Sequence, residues 1–245
     1  MIEKTWNTIK EEIKLRIDAE PSLEPYLNSL IMSQDDILGA VASILSSKLQ
    51  SAALSSNDIQ KFIIEVFNDC SHIKKQLTED LIFFKKNDPA CKYLSTPLLF
   101  YKGYQGLATY RAANCLWSND RHTMALFFQN RASEIFGVDI HPAAKIDGGV
   151  MIDHATGVVI GETSIIKSNV SIFQGVTLGG RGFQEGNRHP KINQGASVFA
   201  SSTILGNITI GKNAVVAAGS LVLKDVEDNT TVAGIPAKII ENKIK

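Results

Sequence analysis

A six-residue repeat in the second half of the chain constrains its fold more than any other feature. Aliphatic residues recur at every sixth position, in three runs that share this period. The repeat positions are Ile140, Ile146, Ile152, Val158, Ile160, Ile166, Ile172, Leu178, Ile192, Val198, Ile204, Ile210, Val216 and Val222. A period of six fits neither the roughly 3.6 residues per turn of a helix nor the two-residue alternation of a hairpin sheet. It fits a short strand and a turn repeated three times per coil, so it predicts a parallel β-helix with the aliphatic side chains inside a triangular prism.

Two interruptions break the repeat. The period slips by two residues after Val158, and residues 179–191 interrupt it altogether. A prism wall cannot absorb the longer insertion, so we expect it to protrude as a loop. The loop contains four glycines together with Arg188 and His189. This composition is typical of a flap that brings polar groups to a ligand on the prism surface.

The first part of the chain has helical patterning instead. Only four of the 18 glycines lie in residues 1–138, and both tryptophans lie there. Apolar residues at helical spacing follow Ser33, whose hydroxyl is placed to cap a helix with Asp36 three residues on. Similar patterning predicts further helices at 3–17, 71–86, 97–117 and 122–136. We therefore expect an α+β fold, with an all-helical N-terminal domain at 1–138 and a left-handed β-helix domain at 139–245.

Charge and composition exclude several classes of protein. The chain has 25 Lys and Arg residues and 25 Asp and Glu residues, so it has no net charge when its histidines are neutral. It therefore lacks the basic excess of a nucleic-acid-binding domain. No apolar run approaches the roughly 20 residues that span a bilayer, and the N-terminus has no apolar segment of a secretion signal. We expect a cytoplasmic protein that binds neither nucleic acid nor membrane.

The three cysteines give a separate prediction. Cys70, Cys91 and Cys115 have none of the spacings that are typical of metal sites. Disulfides are rare in cytoplasmic proteins. We therefore expect all three residues to be buried free thiols.

Longer motifs make the chain recognisable. The helical part contains NDPA (87–90), STPLLFYKGYQ (95–105) and FFQNRASEIFGVDIHP (127–142). The repeat part contains DIHPAAKIDGGVMIDHATGVVIGET (139–163), GNRHPKI (186–192) and AGIPAKII (233–240). These motifs, which span essentially the whole chain, resemble the serine O-acetyltransferases of cysteine biosynthesis. The resemblance implies transfer of the acetyl group from acetyl-CoA to L-serine, and a homo-oligomer that is a trimer or a dimer of trimers.

That chemistry needs a base, because a serine hydroxyl is protonated at neutral pH and attacks a thioester poorly. Histidine suits this role, since its ordinary pKa is about 6.5. Among the five histidines, His154 lies directly after Asp153 and next to the slip in the repeat, where a side chain can project into a groove. By resemblance, His154 is the catalytic base and Asp139 is the carboxylate that orients its ring.

The resemblance also implies which residues bind L-serine. Arg188 and His189 are expected to hold the carboxylate or to support the reacting hydroxyl, since a guanidinium matches a carboxylate. Asp88 and Asp153 are expected on the ammonium side. Because Asp88 comes from the helical part, such a site implies assembly between subunits.

The CoA arm is expected to lie along small residues of the prism wall, with Lys238 near the diphosphate. The candidates on the wall are Gly179, Gly180, Ala200, Ala218 and Gly219. This chain departs from its family at one point, since Phe199-Ala200-Ser201 stands where Gly-Ala-Gly is common. The Phe199 ring would either narrow the CoA groove or lie against a neighbouring subunit.

Other interpretations stay open beside this one. The same base would serve homoserine or another small hydroxyl compound, and the departure at Phe199 is also compatible with a catalytically weakened scaffold. Three histidines would suit zinc in an enzyme of the γ-carbonic anhydrase type. The spacing of His141, His154 and His189 is unlike that of zinc ligands, so we expect no metal.

Two predictions concern partners. L-Cysteine has the same carboxylate and ammonium as L-serine, so we expect it to inhibit the enzyme in competition with serine. Members of the family commonly bind O-acetylserine sulfhydrylase through a flexible tail that ends in isoleucine. This chain ends in Ile244-Lys245 after a short tail, so no stable complex with that sulfhydrylase is expected.

Overall fold

A computed structural model describes residues 1–182 and 185–240. The prediction about the sulfhydrylase depends on residues 241–245 and lies outside the described residues. In the described ranges, no helix has both the length and the apolar content needed to cross a membrane. The cytoplasmic location stays a prediction.

Helices make up the first part of the structure. They are α1 (Ile2–Ala19), α2 (Glu24–Leu27), α3 (Ile37–Leu49), α4 (Ser56–Asp69), α5 (Ile73–Asn87), α6 (Ser95–Phe100), α7 (Lys102–Ser118) and α8 (His122–Phe136). Short 3₁₀ and π turns flank α2 at Pro21–Leu23 and Asn28–Met32. One continuous apolar core extends from these helices into the repeat part. The division into two domains at residue 138 stays a prediction.

Two details of the predicted helices are wrong. The cap of α3 is Asp36, whose carboxylate accepts a hydrogen bond from the Gly39 amide at 3.0 Å. Ser33 instead donates its hydroxyl to the Ser29 carbonyl. The helix expected at 97–117 is two helices, because Tyr101 adopts an extended backbone between α6 and α7.

The repeat part is a parallel β-solenoid, which confirms the fold class. Its strands are β1 (Val138–Ile140), β2 (Lys145–Ile146), β3 (Met151–Asp153), β4 (Val158–Ile160), β5 (Ile165–Ile166), β6 (Ser171–Phe173), β7 (Thr177–Gly179), β8 (Lys191–Ile192), β9 (Ser197–Val198), β10 (Thr203–Leu205), β11 (Thr209–Ile210), β12 (Val215–Val216), β13 (Leu221–Val222), β14 (Thr231–Gly234) and β15 (Ala237–Ile239). They form three sheets, in the orders β1-β4-β7-β10-β13, β11-β8-β5-β2 and β15-β14-β12-β9-β6-β3. The final strand, β15, pairs antiparallel with β14. We call the first of these sheets the front sheet.

The aliphatic repeat fills the inside of the solenoid, as predicted. Each of the fourteen repeat residues is at most 6% exposed. In the front sheet, Ile140 pairs in register with Ile160, and Ile160 with Leu178. The long insertion leaves the coil between β7 and β8, as the sequence predicts.

The two extra residues of the first coil are absorbed by one turn, which we call the His154 turn (154–157). Its residues His154, Ala155 and Gly157 have φ angles of 56°, 62° and 78°. Left-handed backbone at two consecutive residues other than glycine is uncommon and costs about 1–3 kcal/mol at each. The slip in the repeat therefore marks a strained corner of the solenoid.

The cysteine prediction is wrong for two of the three residues. Cys70 and Cys115 form a disulfide, with their Cα atoms 6.2 Å apart. Cys70 directly follows α4 and Cys115 lies on α7, and these two helices pack together. Their tertiary contact brings the sulfur atoms into bonding range, which no spacing in the sequence could show. Cys91 is a buried free thiol, as expected.

Helix α7 packs against β3 at a point where only glycine fits. A Cβ atom added to Gly103 would stand 1.8 Å from the Ile152 carbonyl oxygen. That oxygen belongs to the solenoid backbone and cannot move aside as a flexible side chain would. Gly103 therefore allows the start of α7 to lie directly on the strand that precedes the His154 turn.

We predict that Gly103→Ala lowers the free energy of unfolding by about 3 kcal/mol, the upper range for overpacking a well-packed site. Urea denaturation measures this change. Gly39→Ala is the matched control, because its new Cβ would meet side chains and no backbone, namely those of Gln34 at 3.2 Å and Asp36 at 3.8 Å. We expect the control to change stability by less than about 1 kcal/mol. Equal effects of the two substitutions would contradict the proposed packing constraint.

Candidate active site

A cavity of about 410 Å³ lies between the helical part and the first coil. Its floor is the end of β3 and the His154 turn, and its wall is the junction of α6 and α7. The polar residues that line it are Asp88, Tyr101, Lys102, Asp153 and His154. The structure thus brings together three of the residues that the sequence singled out, namely Asp88, Asp153 and His154.

His154 and Asp153 form the titratable pair of this cavity. His154 Nε2 lies 3.6 Å from Asp153 Oδ2. The imidazole is 72% exposed, whereas the Asp153 side chain is only 19% exposed. The ring is therefore accessible to a ligand and has a negative charge beside it.

Asp88 is held by a backbone hydrogen bond. Its Oδ1 accepts from the Ala90 amide at 2.8 Å. Burial, together with the negative charge of Asp88, raises the pKa of Tyr101 to about 12. The Tyr101 hydroxyl therefore stays protonated at neutral pH.

Asp139 makes its side-chain hydrogen bond to the helical part. It is the middle residue of β1, and its Oδ1 accepts a hydrogen bond from Gln129 Nε2 on α8 at 2.7 Å. Within residues 1–182 and 185–240, no hydrogen bond or ion pair joins Asp139 to His154. Its role in orienting the His154 ring stays a prediction.

Arg188 and His189 lie beyond the C-terminal ends of the front-sheet strands, whereas His154 lies before their N-terminal ends. His154 comes before the N-terminal end of β4, whereas the loop that carries Arg188 and His189 follows the C-terminal end of β7. Both residues are tied to the coil by Thr163, whose hydroxyl oxygen accepts from the Arg188 and His189 amides at 3.0 and 3.1 Å. The Arg188 guanidinium forms an ion pair with Glu162.

His189 is buried and is held in one orientation. Its Nδ1 accepts from the Thr163 amide at 3.1 Å, so the ring proton is on Nε2. A Cβ on Gly161 would stand only 2.1 Å from Nε2, so the ring packs directly on that glycine. Burial, and then the positive charge of Arg188, lowers the pKa of His189 below its ordinary value of 6.5. His189 is therefore neutral at neutral pH.

The candidates for CoA binding divide between the two ends of the front-sheet strands. Ala200, Ala218 and Gly219 precede the N-terminal ends of these strands, on the same corner of the solenoid as His154. Hydrogen bonds stack this corner from coil to coil, from the Gly175 amide to Thr156, from Ser201 to Gln174 and from Gly219 to Ala200. Gly179 and Gly180 lie at the other end, where a Cβ on Gly180 would be 3.4 Å from the Arg188 side chain. Lys238 is exposed on β15.

The ring of Phe199 stacks on its neighbour in the previous coil. The Phe199 and Phe173 ring centroids are 4.8 Å apart and their planes are 13° from parallel. Phe173 pairs in register with Asp153. An aromatic wall therefore begins beside the cavity and runs along the corner that carries Ala200.

Several residues of the site escaped the sequence analysis. Tyr101 and Lys102 line the cavity because the chain turns between α6 and α7, whereas the helical pattern there continues without a break. Glu162 and Thr163 contact the loop from a neighbouring coil. A clue existed in Gly161-Glu162-Thr163, which places polar residues beside the predicted flap. In the described part of the chain, no group of three or more His, Cys, Asp and Glu residues is arranged to hold a metal ion.

The lowered pKa of His189 predicts a loss of stability in acid. The unfolded chain binds a proton near pH 6.5 while the native state does not, so the stabilisation is present above that pH and is lost as the pH falls below it. We expect His189→Gln to reduce the loss of unfolding free energy between about pH 7 and 5. Urea denaturation at both pH values measures it, with the exposed His122→Gln as control. An unchanged pH dependence in His189→Gln would contradict this account.

Comparison with known proteins identifies the family. Residues 5–109 match the family model described as serine acetyltransferase, N-terminal. The chain is 48% identical to serine acetyltransferase 2 of Arabidopsis thaliana over 235 residues, which cover 96% of this chain and 73% of that protein.

Solved structures agree with this match. A serine acetyltransferase in complex with CoA superposes with a TM-score of 0.94 at 41% identity, covering 98% of this chain and all of that one. A serine acetyltransferase in complex with cysteine gives a TM-score of 0.96 at 41% identity, with the same coverage of both chains. The chain therefore belongs to the serine acetyltransferase family.

Proposed function

We propose that this protein transfers the acetyl group of acetyl-CoA to the hydroxyl of L-serine, giving O-acetyl-L-serine and CoA. The observation that carries the proposal is the cavity in which Asp88, Asp153 and His154 face one another beside an open corner of the solenoid. The sequence relationship to serine acetyltransferases supports the choice of acceptor and of acyl donor.

The transfer is a direct attack with His154 as general base. The imidazole takes the proton of the serine hydroxyl while that oxygen forms a bond to the thioester carbon. When the carbon–sulfur bond breaks, the imidazolium returns the proton to the leaving thiolate. Asp153, 3.6 Å from Nε2, stabilises the positive charge of the intermediate imidazolium. Asp139 is proposed to orient the His154 ring in the assembled enzyme.

The two charged groups of L-serine select opposite charges in the protein. Asp88 and Asp153 are proposed to receive the ammonium, and the Ala90 amide holds the Asp88 carboxylate in position for it. Arg188 is proposed to receive the carboxylate, with neutral His189 as a hydrogen-bond donor through Nε2. L-Cysteine carries the same two groups, so we propose that it competes with serine at this site.

Acetyl-CoA is proposed to lie along the corner that begins at the His154 turn. Ala200, Ala218 and Gly219 leave the backbone of this corner accessible to the amides of the pantetheine arm. Lys238 is on the outermost strand of the sheet that starts with Asp153 on β3. Five strand spacings of about 4.8 Å separate them by about 24 Å, which suits a cation near the diphosphate end of a long ligand.

The site is proposed to be shared between subunits of a trimer, or of a dimer of trimers. His154 and Arg188 lie at opposite ends of the strands of one rigid sheet. Within a single chain they therefore do not converge on one serine molecule. A rotation that places the His154 corner of one subunit beside the Arg188 loop of the next would complete the site. Gly179 and Gly180, at the start of this loop, would then lie near Ala200 of the neighbouring subunit.

We predict that His154→Asn lowers kcat by about 10²- to 10⁴-fold, the usual contribution of a general base. The assay follows CoA release from acetyl-CoA with L-serine. His122→Asn is the matched control, since His122 is an exposed histidine that packs on Trp117. Retention of more than about a tenth of the wild-type rate in His154→Asn would exclude its role as base. An inactive wild-type protein would refute the proposed function itself.

The shared site predicts complementation between two inactive variants. We expect His154→Ala and Arg188→Ala chains to be inactive alone and to recover activity after they are refolded together. Random mixing would restore about one quarter of the wild-type rate, the fraction of interfaces that combine two unmodified halves. The control is the same pair of variants mixed without refolding. Background activity after subunit exchange has been verified by mass spectrometry would show that each site lies within one chain.

A further inference from the structure

The turn that carries His154 needs support from outside itself. Residues His154 and Ala155 both have left-handed backbone, which costs about 1–3 kcal/mol at each residue. Such a turn persists only where its surroundings fix it. If it relaxed, the His154 ring would move with the backbone that carries it.

Backbone hydrogen bonds fix only part of the turn. The Ala155 amide donates to Asp153 at 2.6 Å and the Thr156 amide donates to His154 at 2.7 Å. The Gly157 amide donates to Gly137 at 2.8 Å. The first two bonds lie within the turn region and move with it, whereas the bond to Gly137 and a bond from the Gly175 amide to the Thr156 carbonyl, at 2.9 Å, reach outside. Neither of these two outside bonds involves His154 or Ala155.

One side chain from the helical part reaches the turn directly. Lys102 Nζ donates a hydrogen bond to the hydroxyl oxygen of Thr156. Lys102 is the first residue of α7, and the next residue is Gly103, whose contact with the Ile152 carbonyl fixes the start of this helix on β3. The donor therefore comes from a rigid element and its acceptor lies two residues after His154.

We propose that Lys102 is a positioning residue, which holds the His154 turn through Thr156 and so aims the His154 imidazole into the cavity. This inference rests on the proposed function, in which His154 is the base. Lys102 also lines the cavity, so direct contact with substrate is the competing role that the experiment must separate. A base displaced by about 1 Å loses up to about 100-fold in rate.

The experiment is a double-mutant cycle with Lys102→Met and Thr156→Val, which remove donor and acceptor at nearly constant volume. We expect each single variant to lower kcat by about 10- to 100-fold, with KM for L-serine within about twofold of wild type. The kcat of the double variant is expected to be no lower than that of the less active single variant, because the two residues act through one contact. Lys102→Arg keeps a donor and is expected to recover part of the rate. Lys92→Met, at an exposed lysine of the same helical part, is the control and is expected to keep the wild-type rate.

Specific results would overturn the inference. A higher KM for L-serine with unchanged kcat in Lys102→Met would make Lys102 a substrate contact. Losses that multiply in the double variant would show that Lys102 and Thr156 act independently. Amide hydrogen exchange of the peptide spanning 154–157 gives a readout independent of turnover, and we expect it to accelerate in both single variants. Unchanged exchange would contradict the inference even if the wild-type protein proved inactive, whereas inactivity with accelerated exchange would refute only the proposed function.

Discussion

The buried ion pair between Asp80 and Arg111 fixes the helical part on the first coil, and the geometry of the cavity depends on that placement. Both side chains are at most 1% exposed. Arg111 donates to both Asp80 oxygens and to the carbonyls of Ile146 and Asp147, and Asp80 also accepts from the Val150 amide at 2.9 Å. Loss of either partner would leave a buried charge without compensation, at a cost of about 3–5 kcal/mol. The pair thus joins two helices and one solenoid loop in a single arrangement.

The same two helices deliver the helical residues of the cavity. Asp80 lies on α5, and Asp88 follows the end of that helix. Arg111 lies on α7, and Lys102 is its first residue. Because the ion pair fixes both helices against the coil, the positions of Asp88 and Lys102 relative to His154 are set at one point of contact. The close approach at Gly103 completes this arrangement, since it keeps α7 in direct contact with the strand before the His154 turn.

The solenoid was predictable from sequence because its signal is local and repeated. Each coil restates the same period, so a slip or an insertion is visible against it. The slip lies beside the cavity, and the insertion carries Arg188 and His189. The break at Tyr101 and the disulfide between Cys70 and Cys115 left no such signal. They depend on which helices pack together, and helical periodicity is the same whatever the partner. The hydrogen bond between Asp139 and Gln129 belongs to the same class, because it joins a strand to a helix whose relative position only the folded structure provides.

The distribution of the candidate site residues within one chain supports the proposal that two subunits share each site. A three-residue strand such as β4 spans about 10 Å, and a parallel sheet with continuous hydrogen bonds does not fold back on itself. His154 and Arg188 therefore stay at opposite ends of the front-sheet strands as long as the solenoid is intact. The loop that carries Arg188 is held by Thr163 and Glu162 at its own end of the strands, so it cannot swing to the other. The proposed second copy of the chain, turned about an axis parallel to the prism, would bring Arg188 to each cavity.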